Sequence, residues 1–400
     1  MTTTSPALVA GATFLIADAA GDVPADRVAG LFVDDTRHLA RWRLLVDGER
    51  LTTLSAHRDA VAGEAVLVRS TPRGTDPPFV VFRTQVLDDD GLVERLRVRN
   101  LGVDALVLEI RYDVAADFAD QLAVRGDRVY ARPGASVTAD VTARRLALRY
   151  RREGYVRTTT VWPGDAGRCD RDGVGWRVAL DPAAEETVTV RVSTGAVPGP
   201  ADPEPVVVAR RARDEAFRAG FELPPITHPV LDRAVRAGLD DLASLLVPAP
   251  GQAGARIVGA GAPWFLTLFG RDSIITALAA LPYAPELAVV TLRTLAHYQG
   301  REYRPERCEE PGKIVHEVRS GELSRFGQVP FARYYGTVDA TPLFLVLLGA
   351  HFERTADGAP ARELEAAARA AVAWMDGDGG LAERGADPTR IVAEPALMAE

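Results

Sequence analysis

Two cysteines are too few, and too far apart, to organise this fold. Cys169 and Cys308 have no CxxC spacing and no histidine cluster beside them, which argues against a disulfide framework and against a zinc site. No metal or cofactor is expected. Among 47 basic residues, Lys313 is the only lysine. That bias, with abundant Ala, Gly, Asp and Val, marks a GC-rich genome, so a single arginine weighs less as a functional signal and Lys313 slightly more. Positive charge is short overall. The formal net charge is −8, and no basic run or aromatic-interleaved basic patch offsets it, which argues against a nucleic-acid partner. Long apolar runs are missing too. The run from Pro6 has no positive charge before it and meets charged segments from Asp18, so we read neither a signal peptide nor a membrane span and expect a cytoplasmic protein.

What is present is 400 residues, 47% hydrophobic and 26% charged, enough for two or three domains with substantial cores. From residue 10 to about 195 the hydrophobic pattern has period two. Leu106, Leu108, Ile110 and Tyr112 alternate with Val107, Glu109 and Arg111, and Val188, Val190 and Val192 alternate with Thr187, Thr189 and Arg191. The pattern predicts further strands at 29–34, 41–46, 65–69, 79–87, 93–99, 128–131, 146–150, 156–162 and 175–180, with turns at Asp47-Gly48, Asp90-Gly91 and Asp172-Gly173. So many strands without amphipathic helices between them imply an antiparallel β-sandwich over 1–195. Four prolines and two glycines between Gly195 and Pro205 mark a linker, and a connecting helix at 206–219 completes a 196–225 segment. Helical spacing then takes over, with Leu231, Val235, Leu239, Leu242 and Leu246 on one face. More helices are predicted at 273–281, 285–299, 341–353 and 360–375. Long loops separate them at 247–272, 300–340 and 376–400, and loops that long in a compact domain are usually functional or disordered.

Three of the loop segments carry chemistry. Pro263 to Ser273 crowds Trp264, Phe265 and Phe269 against Arg271-Asp272 at a helix entrance. A flat ring covers the CH face of a pyranose while a carboxylate and a guanidinium take its hydroxyls, so this is the composition of a sugar site. The same residues also read as a buried helix start, with Asp272 or Ser273 as N-cap and a structural ion pair. Glu309 to Glu322 places several carboxylates, His316 and two cations in one loop, which also reads as a solvated charged loop; with Ser320 where a second histidine would be needed, it is not a zinc-protease motif. Pro330 to Phe344 carries Tyr334, Tyr335 and Asp339 ahead of an apolar helix, where Asp339 could be a helix cap and the tyrosines core residues. The pattern recurs three times: an aromatic and carboxylate loop immediately before an apolar helix. If successive helices alternate direction, those loops gather at one end of the helical region and share a pocket. Other motifs fail. Arg256 to Gly261 imitates the opening of a dinucleotide fingerprint, but Pro263 and Trp264 stand where a helix and a third glycine are needed. Asp376-Gly-Asp-Gly-Gly380 lacks the spacing of a calcium loop and reads as a turn.

At PWFLTLFGRDSIIT (263–276), EEPGKIVHEVRSGE (309–322) and YYGTVDATPLFL (334–345) the sequence resembles the bacterial and archaeal glycogen-debranching, or amylo-α-1,6-glucosidase, family. Gly11-Ala-Thr-Phe14, Gly30 to Arg37 and Ala116-Asp-Phe-Ala-Asp120 are similar to that family's N-terminal domain. The resemblance implies an N-terminal β-sandwich followed by an (α/α)6 six-hairpin toroid, and inverting hydrolysis of α-glucosidic bonds in glycogen, limit dextrin or another α-glucan. It places Trp264, Arg271, Asp272, His316, Glu317, Arg319, Tyr334, Tyr335 and Asp339 at the glucose-binding end.

The resemblance also has gaps. After Asp120 the family's usual aromatic-acidic pair is replaced by Gln121-Leu122-Ala123. The family's general acid is expected in a Gln-Gly-Trp-Lys-Asp-like motif and its base later still, and neither motif occurs, so the catalytic pair is expected beyond this chain. A closed double ring of twelve helices needs well over roughly 250 residues, whereas 226–381 supplies five or six helices, so the toroid is expected to be incomplete. The tail 382–400 loses aromatics and helical patterning. A truncated or frame-shifted product, or a fragment, is one expectation. A non-catalytic glucan-binding module and a hydrolase of another α-linked glucosyl substrate are the alternatives.

Overall fold

A computed structural model describes residues 7–24, 28–126, 128–142, 144–195 and 202–377. Strands occupy the first half of the chain and helices the second. An eight-stranded sheet runs in the order Ser136–Thr142, Arg145–Arg152, Tyr155–Trp162, Glu185–Ser193, Gly91–Asn100, Phe79–Asp88, Ala62–Val68, Thr52–Arg58. It faces a four-stranded sheet ordered Arg168–Cys169, Gly173–Leu180, Leu106–Ala115, Arg41–Val46, and a further four-stranded meander covers Leu8–Ala10, Thr13–Ile16, Gly30–Val33 and Thr36–Leu39. Every pairing in these sheets is antiparallel. The alternation dictates which side chains enter the sandwich. Leu108, Ile110 and Tyr112 are buried in its core while Val107 is 53% exposed. Asp47 and Gly48 both take positive φ, 52° and 80°, the conformation a two-residue hairpin turn requires.

The sandwich core also holds charge. Arg83 Nε lies 2.7 Å from Glu94 and Nη1 2.6 Å from Asp22, while Trp42, Gln85 and the Tyr112 hydroxyl donate to the same Glu94 carboxylate. Burial opposes the Arg83 charge, but Glu94 beside it more than offsets that and holds the guanidinium firmly protonated.

Two sequence expectations need correcting. Residues 128–131 form no strand, and Val129 is fully exposed: the apolar-polar alternation there has no neighbouring strand to pair with. The connecting helix begins earlier than 206, at Pro203, because Asp202 caps it by accepting from Glu204 N at 3.0 Å and proline suits the first helical turn. Most of the proposed linker, 196–201, and the tail 382–400 lie outside the described residues.

The helices are α1 (Gln121–Gly126), α2 (Pro203–Ala219), α3 (Pro229–Ser244), α4 (Gly270–Ala280), α5 (Pro285–His297), α6 (Glu322–Arg325), α7 (Ala340–Thr355), α8 (Ala359–Glu363) and α9 (Glu365–Asp376). Helices α4, α5 and α7 pack on one another through Ile274, Ala277, Leu292, Leu295, Phe344 and Leu347, and α9 adds Ala371. Val9, Phe14, Phe32 and Val124 of the strand region belong to the same core. The two halves are therefore joined by continuous apolar packing. No helix among the described residues is long and apolar enough to cross a membrane.

Candidate functional site

The three motif segments meet. Each runs extended just before a helix, and their backbones bond side by side. Gly270 N donates to His316 O at 2.8 Å, Val318 N to Leu268 O at 3.2 Å, His316 N to Tyr334 O at 2.7 Å and Tyr334 N to Glu317 O at 3.0 Å. Glu317 thus sits between Phe269 and Tyr334, and the N-terminal ends of α4 and α7 arrive beside it. Close backbone approach enforces glycine at 270, where a Cβ would stand 2.1 Å from Val315 O.

Two kinds of residue occupy this junction. On the open side, Arg271 Nη1 lies 3.1 Å from Asp339 Oδ2 and Arg271 Nε 4.0 Å from Asp272, with all three side chains 39–45% exposed. Asp339 occupies the N-cap position of α7 yet makes no capping bond; its carboxylate accepts from Arg271 and from the Thr337 hydroxyl. Partial burial pushes its carboxyl upward, but the hydrogen bonds from Thr337 and Arg271 outweigh burial and hold it below the usual carboxylate range. Asp272 and Ser273 are not caps either. Helix α4 starts at Gly270, which puts them in its first turn, and Ser273 Oγ donates to Val258 O at 3.0 Å. The His316 ring is half-buried between Phe269 and Tyr334, at centroid distances of 5.5 and 6.0 Å. Burial lowers its pKa, Glu317 opposes the shift, and Arg271 reinforces it. Its Nδ1 is buried without a hydrogen-bond partner in the protein, an unsatisfied polar atom of the kind folded proteins seldom leave.

On the closed side, the side chains are committed to the protein. Arg319 is buried and places Nε 3.0 Å from Glu317, Nη1 3.0 Å from Asp35 and Nη2 2.9 Å from Trp264 O. Burial opposes its charge, and Asp35 and Glu317 more than compensate. Trp264 packs edge-on against Phe14 and Phe32 of the strand region at 6.4 and 6.1 Å. Tyr335 is 1% exposed, donates to Tyr298 O at 2.7 Å and lies in the helical core, apart from its neighbour Tyr334.

The strand region supplies residues that motif reasoning did not assign. Asp34 and Asp35, both at positive φ, form the turn between Gly30–Val33 and Thr36–Leu39, a conformation Asp tolerates better than most residues. Asp35 accepts from Arg319 and from Ser320 N at 2.8 Å. Asp120 accepts from Leu323 N at 3.0 Å, and burial raises its carboxyl to about 6. Glu322, wholly buried, takes Tyr150 at 2.5 Å and Arg152 at 3.0 Å. These contacts clamp the 317–323 loop onto the sandwich. Among the described residues no group of three or more His, Cys, Asp or Glu is placed to hold a metal ion.

Residues 8–191 match the family model for the N-terminal domain of (some) glycogen debranching enzymes. That match covers nearly all of the sandwich. The chain as a whole is similar in fold to a human-microbiome protein assigned as a kojibiose phosphorylase, with TM-score 0.53 and 10% identity over 88% of this chain and 54% of that one. The chain thus spans about half the length of that structure. A GH92-family glycosyl hydrolase, ccman5, is more distant, with TM-score 0.37 and 12% identity over 92% of this chain and 61% of that one. Among curated proteins, none matches the sequence.

Proposed function

We propose that the chain is the glucan-recognising part of an amylo-α-1,6-glucosidase-type protein, in which the debranching-type sandwich precedes the opening helices of an (α/α)6 six-hairpin toroid. In this reading the sandwich extends to about residue 195 and the toroid begins near 226. Arg271, Asp272, His316 and Asp339 take the hydroxyls of a terminal glucosyl unit of glycogen or limit dextrin, with Phe269 and Tyr334 as apolar walls. Glu317, Arg319 and Trp264 hold that surface in place. The observation that carries the reading is the convergence of three motif segments on one junction, beside an Arg–Asp pair and a histidine nitrogen without a protein partner. Apolar residues left exposed on α3, α4, α7 and α9, such as Leu231, Ile275, Phe352 and Val372, support a helical layer built to continue.

Recognition rather than proton transfer suits these carboxylates. An inverting glycosidase needs a carboxylic acid that keeps its proton, set across from a carboxylate that activates water at roughly 6.5–9.5 Å. Asp339 is held in the opposite state, ionised and bonded to Arg271, and Glu317 is paired with Arg319. Calorimetric titration of the 400-residue chain with maltotriose tests the reading. Asp339→Asn is expected to weaken binding roughly tenfold, by loss of a charged acceptor, while shifting stability by less than about 1 kcal/mol because the pair is exposed. Unchanged affinity would sink the assignment. Glucose release from a branched limit dextrin by this chain would overturn recognition without turnover and put Asp272, Glu317 or Asp339 forward as acid and base.

A further inference from the structure

The outer face of the eight-stranded sheet carries a second surface built for a ligand. Strand register stacks its side chains in two cross-strand rows. Ser55, Val66, Phe82, Arg97 and Thr187 form one, and His57, Glu64, Thr84, Arg95 and Thr189 the other. Their chain neighbours Ala65, Leu96 and Val188 face the sandwich core, so these rows face outward by the period of the strand. Helix α2 covers the adjoining part of the same face, seating Val206 against Val61, Ala62, Val86 and Val93. It stops at Asp202, whose carboxylate lies 3.4 Å from Arg95. The uncovered remainder is a trough of about 600 Å³, within the range of about 300–1,000 Å³ usual for small-molecule sites.

The chemistry of the trough selects its occupant. Two guanidinium groups, Arg95 and Arg97, stand with two carboxylates, Glu64 and Asp202, so the exposed charge cancels; Arg83 beneath them is spent on Glu94 and Asp22. An anion would meet both carboxylates and a cation both guanidiniums. A protein strand finds no purchase over the centre of the trough, because ladder bonding on both sides uses the backbone of Ala62–Val68, Phe79–Asp88 and Gly91–Asn100; the open edge of Thr52–Arg58 lies at one rim. Hydroxyls of Ser55, Thr84 and Thr187 add groups that both donate and accept. Arg97 lies over the Phe82 ring at 4.6 Å and makes a flat, partly apolar patch among them. Mixed donors and acceptors around such a patch, with no net charge, complement a neutral polyhydroxylated chain.

We propose that this trough binds a neutral oligosaccharide, a short segment of α-glucan, as a second carbohydrate site that shares no residue with the Asp339 surface. The choice of glucan rests on the function proposed above. Such a site would hold the polymer while the Asp339 surface takes its end, raising the effective concentration of ends.

Affinity electrophoresis of the 400-residue chain through gels containing glycogen, with heparin gels as the polyanion arm, tests this. Glu64→Gln/Arg95→Gln removes the opposed polar pair and Thr84→Trp fills the trough; Asp339→Asn runs in parallel. Each trough variant is expected to weaken glycogen retention roughly tenfold, with the double variant keeping the wild-type unfolding midpoint. Wild-type retention by both trough variants overturns the proposal, as does retardation of the wild type by heparin in place of glycogen. Loss confined to Asp339→Asn removes the trough and leaves the function reading. Loss confined to the trough variants removes the Asp339 assignment and leaves the trough.

Discussion

Replacing Arg319 with methionine should destabilise the junction between sandwich and helices by about 3–5 kcal/mol, the usual cost of removing one partner from a buried ion pair. Methionine keeps an unbranched stem beside the Phe269 ring, over which the guanidinium now lies at 5.4 Å, so little packing is lost. What disappears is the charge between two carboxylates. Side-chain exposures are 2% for Arg319, 9% for Asp35 and 10% for Glu317, so water cannot take over the lost bonds without opening the loop. An exposed pair such as Arg293–Glu363, at 42% and 47% exposure, should by contrast cost less than about 1 kcal/mol to break. Urea unfolding gives the stability difference, and hydrogen exchange across 314–323 reports whether the clamped loop is where it is lost. Combining Arg319→Met with Asp35→Asn and Glu317→Gln neutralises the stranded carboxylates and should recover half or more of the loss. A cost under about 1 kcal/mol for Arg319→Met, or an equal cost in the neutralised background, would refute the argument.

Three further outcomes follow from the buried polar groups. Burial raises the Asp120 carboxyl from 3.8 to about 6, against the pull of the Leu122 and Leu323 N–H groups. Its contribution to stability is therefore full below pH 4 and lost as pH rises through 6, by up to about 3 kcal/mol; urea titrations of wild type and Asp120→Asn should diverge in slope across that window, and parallel curves would contradict it. The His316 imidazole, held down chiefly by burial, should titrate below free imidazole by NMR, so maltotriose affinity should stay flat from pH 8 down to 6.5; a rise in affinity as pH falls toward 6.5 would show a protonated ligand-binding form. Glu94→Gln removes one of the two carboxylates that Arg83 meets in the sandwich core and leaves Asp22 as the other; it should cost about 3 kcal/mol in thermal unfolding, an expectation that an unchanged midpoint would defeat.

The long strands were legible because one buried face imposes alternation, as at Leu106–Ala115 and Glu185–Ser193. Strands whose environment breaks that rule were not. Thr36–Leu39 buries His38, Thr52–Arg58 at the sheet edge has no buried residue, and Leu8–Ala10 pairs with Thr13–Ile16 across only Gly11 and Ala12. The helices were readable from their apolar spacing to within a few residues, although the 360–375 prediction breaks between α8 and α9 at Leu364. At the junction, the three motif segments were visible because aromatics and carboxylates clustered before apolar runs. Their partners were not. Asp35 and Asp120 stand more than 200 residues away from Ser320 and Leu323, and nothing local distinguishes a turn aspartate that holds a distant loop from one that merely turns the chain. Both lie in segments whose resemblance to the debranching N-terminal domain was apparent, which was the available signal.

The clamp between sandwich and loop also limits how this architecture can be recombined. A Cβ at Gly321 would stand 2.2 Å from the Asp120 carboxylate, so the loop fits this particular sandwich with no space left for a side chain. Exchanging the sandwich for another of the same outline would have to carry Asp35, Asp120, Tyr150 and Arg152 with it, or re-select residues 317–323 at the same time. The two halves adjoin in sequence at one place only, yet their facing surfaces must change together.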